Sequence, residues 1–280
     1  MESISLHIPM LRRIYYILFL TSVLLGSGTL LQLGYSYFQP VETYNRHPRD
    51  TYDPSLGRLS DLKKLENYID SLASEKGLIF DSIPEYINLA DSIVRMRFYY
   101  GLQNYRFADN FIANIMAKYI WYPFGAKVLP DDILKGQKAY CSQSSIVFQE
   151  FLKRKGFDVR SVFLSNHFCT EVLVNGNWQF HDVSYKPELA AMGSLSAEDL
   201  LANPQYLEQA YLYTFAESFR DNLHVYFNYR LISYGQINAF AAPKMLIFHR
   251  VTYFLSWWGW LFFLCLALLW RRIFIKKLND

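Results

Sequence analysis

Two uninterrupted apolar runs frame the chain. Residues 14–32 (IYYILFLTSVLLGSGTLLQ) and 251–270 (VTYFLSWWGWLFFLCLALLW) carry no charged side chain. A bilayer core of ~30 Å needs about 20 apolar residues in a helix, so each run predicts a membrane-spanning helix, over 14–33 and 251–270. The competing reading is a buried core helix, but neither run offers the polar face expected of one. Tyr15, Tyr16, Tyr35, Tyr37, Tyr253, Trp257, Trp258 and Trp270 gather toward the ends of the runs, as interfacial aromatic anchors do.

Between the runs the pattern changes to that of a globular domain. Residues 34–58 read as a polar, turn-rich linker, and 59–245 as one domain. Ser60 is placed to cap a helix bearing Leu62, Leu65, Ile69 and Leu72 on one face and ending at Gly77. Pro84 opens a second helix with Ile87, Ala90, Ile93 and Val94 inward. A third runs from about Asp109 to Ile120, with Phe111, Ile112, Ile115, Met116 and Tyr119, and breaks at Trp121–Gly125. Cys141 opens a fourth, in which Ser145, Phe148, Phe151 and Leu152 recur at helical spacing up to a capping Gly156.

After Gly156 the period becomes two. Residues 159–164, 167–174 and 177–184 read as strands, the last pair joined by Asn175-Gly176, the strongest short-range hairpin signal. That two-residue turn sets 174 opposite 177, 173 opposite 178 and 171 opposite 180. His167, Cys169, Glu171 and Leu173 then share a face with Trp178, Phe180, Asp182 and Ser184, whereas His181 points the other way. Asp182 falls diagonal to His167, ~7–8 Å away between backbones, within side-chain reach. A bulge would reverse this parity.

Composition adds exclusions and an orientation. Lys plus Arg is 28 against 25 Asp plus Glu, a balance that gives no support for nucleic-acid binding. Hydrophobic residues are 52%, which rules out a disordered chain. Three cysteines cannot build a disulfide scaffold. The 22 Tyr and 22 Phe suit packing and the membrane interface better than a ligand cage. Arg12 and Arg13 precede the first run and Arg271, Arg272, Lys276 and Lys277 follow the second. Residues 1–13 and 271–280 are therefore expected in the cytoplasm and the central domain outside, a periplasmic domain in a bacterial-type protein. Arg46, Arg49, Lys244 and Arg250 run against that rule. A cleaved signal peptide is the alternative for 14–32, but there is no A-x-A-like site.

A Cys at a helix start, a strand His and an Asp on the adjoining strand are the types that sulfur nucleophilic catalysis needs. The helix terminus favours a thiolate, the imidazole takes the proton, and the carboxylate fixes the imidazole. Cys141 opening a helix, Leu152–Val162 (LKRKGFDVRSV), His167–Val172 (HFCTEV), Asn175–Trp178 (NGNW) and Asp182 together resemble the transglutaminase-like, papain-related superfamily. The likeness covers about 50 residues well. It implies an α+β, papain-like transglutaminase fold, with Cys141 as nucleophile, His167 as general base, Asp182 as orienting carboxylate, Trp178 and Glu171 as supporting residues, and no metal or other cofactor. The oxyanion hole would use the Cys141 N–H and a second donor from Gln137, Tyr140 or Trp121. Two positions depart from the pattern. Ala139 stands where a Gly is usual two residues before the Cys, and Val183 where a Pro often follows the Asp.

The expected activity is amide or peptide hydrolysis, or amine transfer, through a thioester on a protein or peptide substrate. The alternative is a non-catalytic scaffold or accessory subunit of a membrane assembly, whose membrane-protein partner region 198–245 would meet. Two further readings of the same side chains are a Cys141–Cys169 disulfide and a zinc site from Cys141, Cys169, His167 and His181. The latter lacks a C-x-x-C pair, and the register splits its histidines. Cys265 reads as a packing residue in the second span.

Overall fold

The structure, a computed structural model, describes residues 2–37, 44, 51–78, 83–185, 195–212 and 232–279 of the 280. In chain order the helices and strands are α1 (Glu2–Ser36), α2 (Leu62–Glu75), α3 (Ile83–Arg97), β1 (Tyr99–Tyr100), α4 (Phe111–Tyr119), α5 (Pro130–Leu134), β2 (Lys138–Ala139), α6 (Cys141–Arg154), β3 (Val159–Leu164), β4 (His167–Val174), β5 (Asn177–His181), α7 (Ala197–Ala202), α8 (Pro204–Ala210), β6 (Ser233–Tyr234) and α9 (Pro243–Asn279). The protein is thus α+β, with an antiparallel sheet and two long apolar helices. It divides into two compact units, one of residues 1–43, 104–126 and 244–280, the other of 44–103 and 127–243. Residues 104–126, in the middle of the 59–245 stretch that the sequence reads as one domain, therefore group with the apolar helices.

In the first unit, α1 and α9 are long and apolar enough over 12–36 and 243–273 to cross a membrane. Little of either apolar stretch is covered by the rest of the protein, and Leu24 and Leu30 are among the side chains that stand free. Small polar residues bring the two helices together. Ser22 Oγ donates to the Trp260 carbonyl at 2.7 Å and Thr29 Oγ1 to the Ser256 carbonyl at 2.8 Å. Hydroxyls bonded to backbone carbonyls let helices approach closely where no hydrophobic force between them exists. α4 packs here too. A Cβ at Gly28 would stand 2.5 Å from the Phe111 ring. Gly28→Leu is therefore expected to dislodge Phe111 and destabilise this unit by about 1–3 kcal/mol. Thermal unfolding of the full chain in detergent checks this, and an unchanged midpoint would show that Phe111 does not seat on Gly28.

The second unit holds the sheet, ordered β5-β4-β3-β6, and a separate parallel β1-β2 pair. The hairpin register is the one the Asn175-Gly176 turn dictates: Val174 pairs with Asn177, Leu173 with Trp178, Glu171 with Phe180 and Thr170 with His181. Both turn residues have positive φ, 52° and 81°, as a two-residue hairpin turn of this twist requires. β5 ends at His181 rather than 184, because the Asp182 carboxylate takes the Ser184 and Tyr185 N–H groups and turns the chain. β6, which pairs with the outer edge of β3, has no counterpart among the expected strands.

The two faces of this sheet are covered differently. One carries Val162, Leu164, Cys169 and Phe180 into a core with Ala197 and Leu200 of α7, Leu207 and Ala210 of α8, and Tyr211. The other receives α6. Its buried Gln149 donates to Thr170 Oγ1 at 3.0 Å and accepts from Ser161 Oγ at 3.1 Å, fixing the helix on the paired strands.

Several boundaries differ from the sequence pattern. Asp61, not Ser60, caps α2, accepting from the Lys64 N–H at 2.9 Å. Asn110 caps α4. Of the expected 34–58 linker, 51–58 is folded. Tyr52 and Leu56 are buried, a 3-10 turn spans Pro54–Arg58, and fully buried Arg97 bonds the Gly57, Leu59 and Leu134 carbonyls. Arg46, Arg49 and residues 213–231 of the 198–245 region lie outside the described residues.

Candidate functional site

The site lies where the N-terminus of α6 meets the start of β4. Ser145, one turn into α6, donates to the Phe168 carbonyl at 3.3 Å, which ties the helix start to the His167 end of the strand. The α6 terminus is itself held by Gln143, which is 2% exposed. Its Oε1 accepts from the Gln103 N–H at 2.9 Å and the Tyr140 N–H at 3.3 Å, and its Nε2 donates to the Gln103 and Lys127 carbonyls at 2.7 and 2.9 Å. One buried amide therefore fixes three loop segments around the first turn that carries Cys141.

His167 and Asp182 come together as the register implied. His167 Nε2 is 2.7 Å from Asp182 Oδ2, with both side chains buried. The other carboxylate oxygen, Oδ1, accepts the Ser184 and Tyr185 N–H groups at 3.0 and 3.3 Å. Tyr211, fully buried beyond α8, donates its hydroxyl to Oδ2 at 2.8 Å. Four hydrogen bonds pin the carboxylate against rotation. Cys141, half-buried at the helix start, lies close enough to the same imidazole to favour its protonated form. The three residues expected as a triad are therefore in one place.

The electrostatics follow from this packing. Burial works against protonating His167, yet the Asp182 charge beside it, aided by the hydrogen bonds from Asp182 and Cys141, raises its pKa well above that of a free imidazole. A raised folded-state pKa means that the protonated ring stabilises the fold. That contribution is complete below the unfolded value of about 6.5 and is lost as pH rises through the folded value. The thermal midpoint of the protein is thus expected to drift down as pH climbs above about 6.5. In Asp182→Asn the main influence opposing burial is gone, and His167 should titrate well below its position in the parent. Ring nitrogen shifts followed through a pH titration check this, and an unmoved titration in the variant would show that the carboxylate does not set it.

Cys169 is also within hydrogen-bonding reach of His167, but burial pushes its thiol far up, so of the two thiols it is the inert one. All three cysteines are free thiols, so no Cys141–Cys169 bridge is present. His167, Cys169 and Asp182 offer ligand atoms within 4.8 Å of one another, a set with which a metal ion could in principle be held. Both Asp182 oxygens are already engaged by two donors each, and Cys169 would have to ionise in a fully buried place, so the set fits a hydrogen-bonded cluster better than a coordination sphere. His181 stands on the opposite face, its Nδ1 3.1 Å from Asp91 Oδ2, outside the cluster.

The supporting residues are more dispersed. Glu171 is fully buried, bonding Arg160 Nε at 2.7 Å and the Ala197 N–H at 2.7 Å. Arg160 lies between the Trp178 and Tyr234 rings, 4.2 and 4.0 Å from their centroids. Glu171 and Trp178 thus brace the sheet against α7 and β6 and do not touch the Cys141–His167 contact. The Gln137 side chain is exposed and its backbone carbonyl accepts from the Tyr99 N–H. Trp121 belongs to the other unit.

Sequence reasoning missed the aromatic wall beside the sulfur. Tyr140 stacks on Tyr100 with centroids 5.0 Å apart, Tyr100 is 5.7 Å from Tyr185, and Tyr185 is 5.3 Å from the His167 ring. It missed Tyr211 and Gln143 as well. These groups come from segments far apart in the chain, and no local spacing marks them. No protein-family model, no curated protein and no solved structure matches this chain.

Proposed function

We propose that the second unit is a cysteine-dependent acyl-group enzyme of papain-like transglutaminase fold. The observation that carries this reading is an imidazole bonded to a carboxylate that is held through four hydrogen bonds, beside a half-buried thiol at a helix N-terminus. With its proton held on His167, the Cys141 thiolate sulfur bonds to the carbonyl carbon of an amide or peptide while the C=O pair moves onto oxygen. The Cys141 backbone N–H, which has no intrahelical partner at the first position of α6, would receive that oxyanion. Collapse breaks the C–N bond, the leaving amine takes the proton from His167, and a thioester remains. Water, or a second amine, attacks with His167 as base, releases acid or new amide, and returns the thiol. Asp182 keeps the imidazole in register and stabilises its protonated form. The stacked and exposed Tyr140 and Tyr100 rings, backed by buried Tyr185, offer flat apolar surface for a protein or peptide substrate.

We place this unit on the far side of a membrane crossed by α1 and α9, with both termini in the cytoplasm and a membrane-protein partner as a further contact. Alkaline phosphatase fused after residue 240 should be active, and a silent fusion would reverse that orientation. For the chemistry, iodoacetamide at neutral pH should modify Cys141 first, well ahead of Cys265. A Cys141 labelled no faster than an ordinary thiol favours the scaffold reading. Tyr211→Phe should leave Cys141 reactive but weaken the carboxylate's hold, costing about 1 kcal/mol of stability. Denaturant unfolding reads this, and a loss near zero would mean that the hydroxyl contributes nothing.

A further inference from the structure

The first unit carries an apolar surface that its two long helices do not account for. After its buried start, α4 turns outward a run of large side chains: Ile115, Tyr119, Ile120, Trp121 and Tyr122 are all exposed, the last four between 56% and 72%. From Asn110 to Ala126 the one charged residue is Lys118. Clusters of this kind on a soluble surface mark a binding face.

The depth of α4 identifies what covers it. Asn110 is fully buried, its amide donating to Thr252 Oγ1 at 2.9 Å and its Oδ1 accepting from Ser256 Oγ at 2.9 Å. The Ile112 N–H donates to Ser256 Oγ at 3.3 Å, and Gln32 Nε2 donates to the Asp109 carbonyl at 3.3 Å. Phe111 seats on Gly28. Gly28 lies four residues inside the uncharged 14–32 run and Ser256 five residues inside the uncharged 251–270 run. At 1.5 Å per residue, α4 begins about 6–8 Å within both apolar stretches.

Backbone at such depth must satisfy its own polar groups. Residues 104–126 do this to a large extent. The Tyr105 N–H donates to the Gly125 carbonyl, those of Asp109 and Asn110 to Arg106, that of Phe124 to Trp121 and that of Ala126 to Pro123. Asn114 Nδ2 takes the Tyr105 carbonyl at 3.0 Å, and His249 Nε2 bonds the Phe124 carbonyl at 2.9 Å.

We infer that residues 110–126 form a third membrane element, a short helix and turn that do not span but insert Ile115 and Tyr119–Tyr122 into the lipid of one leaflet. Lys118, whose ammonium lies 5.1 Å from the Tyr119 ring, reaches back to the headgroups. The inference rests on the membrane-spanning reading of α1 and α9.

The test uses the full chain in phospholipid nanodiscs, with Cys141→Ser and Cys265→Ala as background and a nitroxide at one of three positions. Leu24→Cys reports a span and Lys63→Cys the aqueous surface. The label at Ile120→Cys should resemble that at 24, with an oxygen-to-nickel-chelate accessibility ratio severalfold above that at 63. A ratio like that at 63 overturns the inference, as does low access to both reagents, which would mean a protein partner. An aqueous signal at 24 itself would instead remove the spanning reading. In the unsubstituted chain, brominated lipid should quench tryptophan emission, and Trp121→Phe should reduce the quenched fraction. An unreduced fraction contradicts insertion.

Discussion

His167→Ala is expected to slow alkylation of Cys141 at neutral pH by about a hundredfold or more, within the range that loss of a positioned general base costs. The argument is geometric. The Cys141 thiol lies beside the His167 ring, and that ring is anchored by a carboxylate that cannot rotate. Alanine removes the proton acceptor and leaves Asp182 buried with its Tyr211, Ser184 and Tyr185 donors. Competition labelling with iodoacetamide, read by peptide mass spectrometry, measures the rate at Cys141 against Cys265 in the same molecule. A variant that labels Cys141 as fast as the parent would separate the thiol from the imidazole and leave the pair as a structural hydrogen bond. Asp182→Asn should lie between the two.

The second large effect is expected at a residue that touches no substrate. Gln143→Ala removes four hydrogen bonds in one buried place, stripping the Gln103 and Tyr140 N–H groups and the Gln103 and Lys127 carbonyls of that partner. An unsatisfied buried group costs about 1–3 kcal/mol, so a total loss of about 3–5 kcal/mol is expected, at the upper end for a single substitution. The variant should unfold at clearly lower denaturant, and the Cys141 labelling rate should fall even under conditions where it remains folded, because the loop that sets the helix start loosens. Loss below about 1 kcal/mol would mean that water replaces the amide.

The parts of this arrangement legible in the sequence are those fixed by short-range rules. Asn175-Gly176 sets the register of β4 and β5, the period-two alternation follows, and parity alone then selects Asp182 over His181. Gly156 and Pro84 mark helix ends through backbone conformation, so α3 and α6 were readable too. What escaped depends on distant chain. Nothing near Tyr211 says that its hydroxyl meets a carboxylate 29 residues earlier. Gln143 reads as a polar residue in the first turn of a helix until Gln103 closes on it. The amphipathic pattern of α4 shows that a face is buried but not against what, so residues 104–126 were assigned to the globular domain when they pack with α1 and α9. Glu171 lay on the face with Asp182, and only the placement of Arg160 and α7 reveals that it braces the sheet.

The proposed chemistry requires the sulfur of residue 141 to become acylated, and this is directly measurable. The full chain, incubated with an activated ester such as 4-nitrophenyl acetate at neutral pH, should give a burst of nitrophenol approaching one equivalent. One acetyl adduct should appear, mapped to Cys141 and cleaved by hydroxylamine, and it should be absent in Cys141→Ser and in His167→Ala. Acetylation no faster than in the unfolded chain, or confined to Cys265, would contradict a thioester enzyme and leave the fold as a binding module.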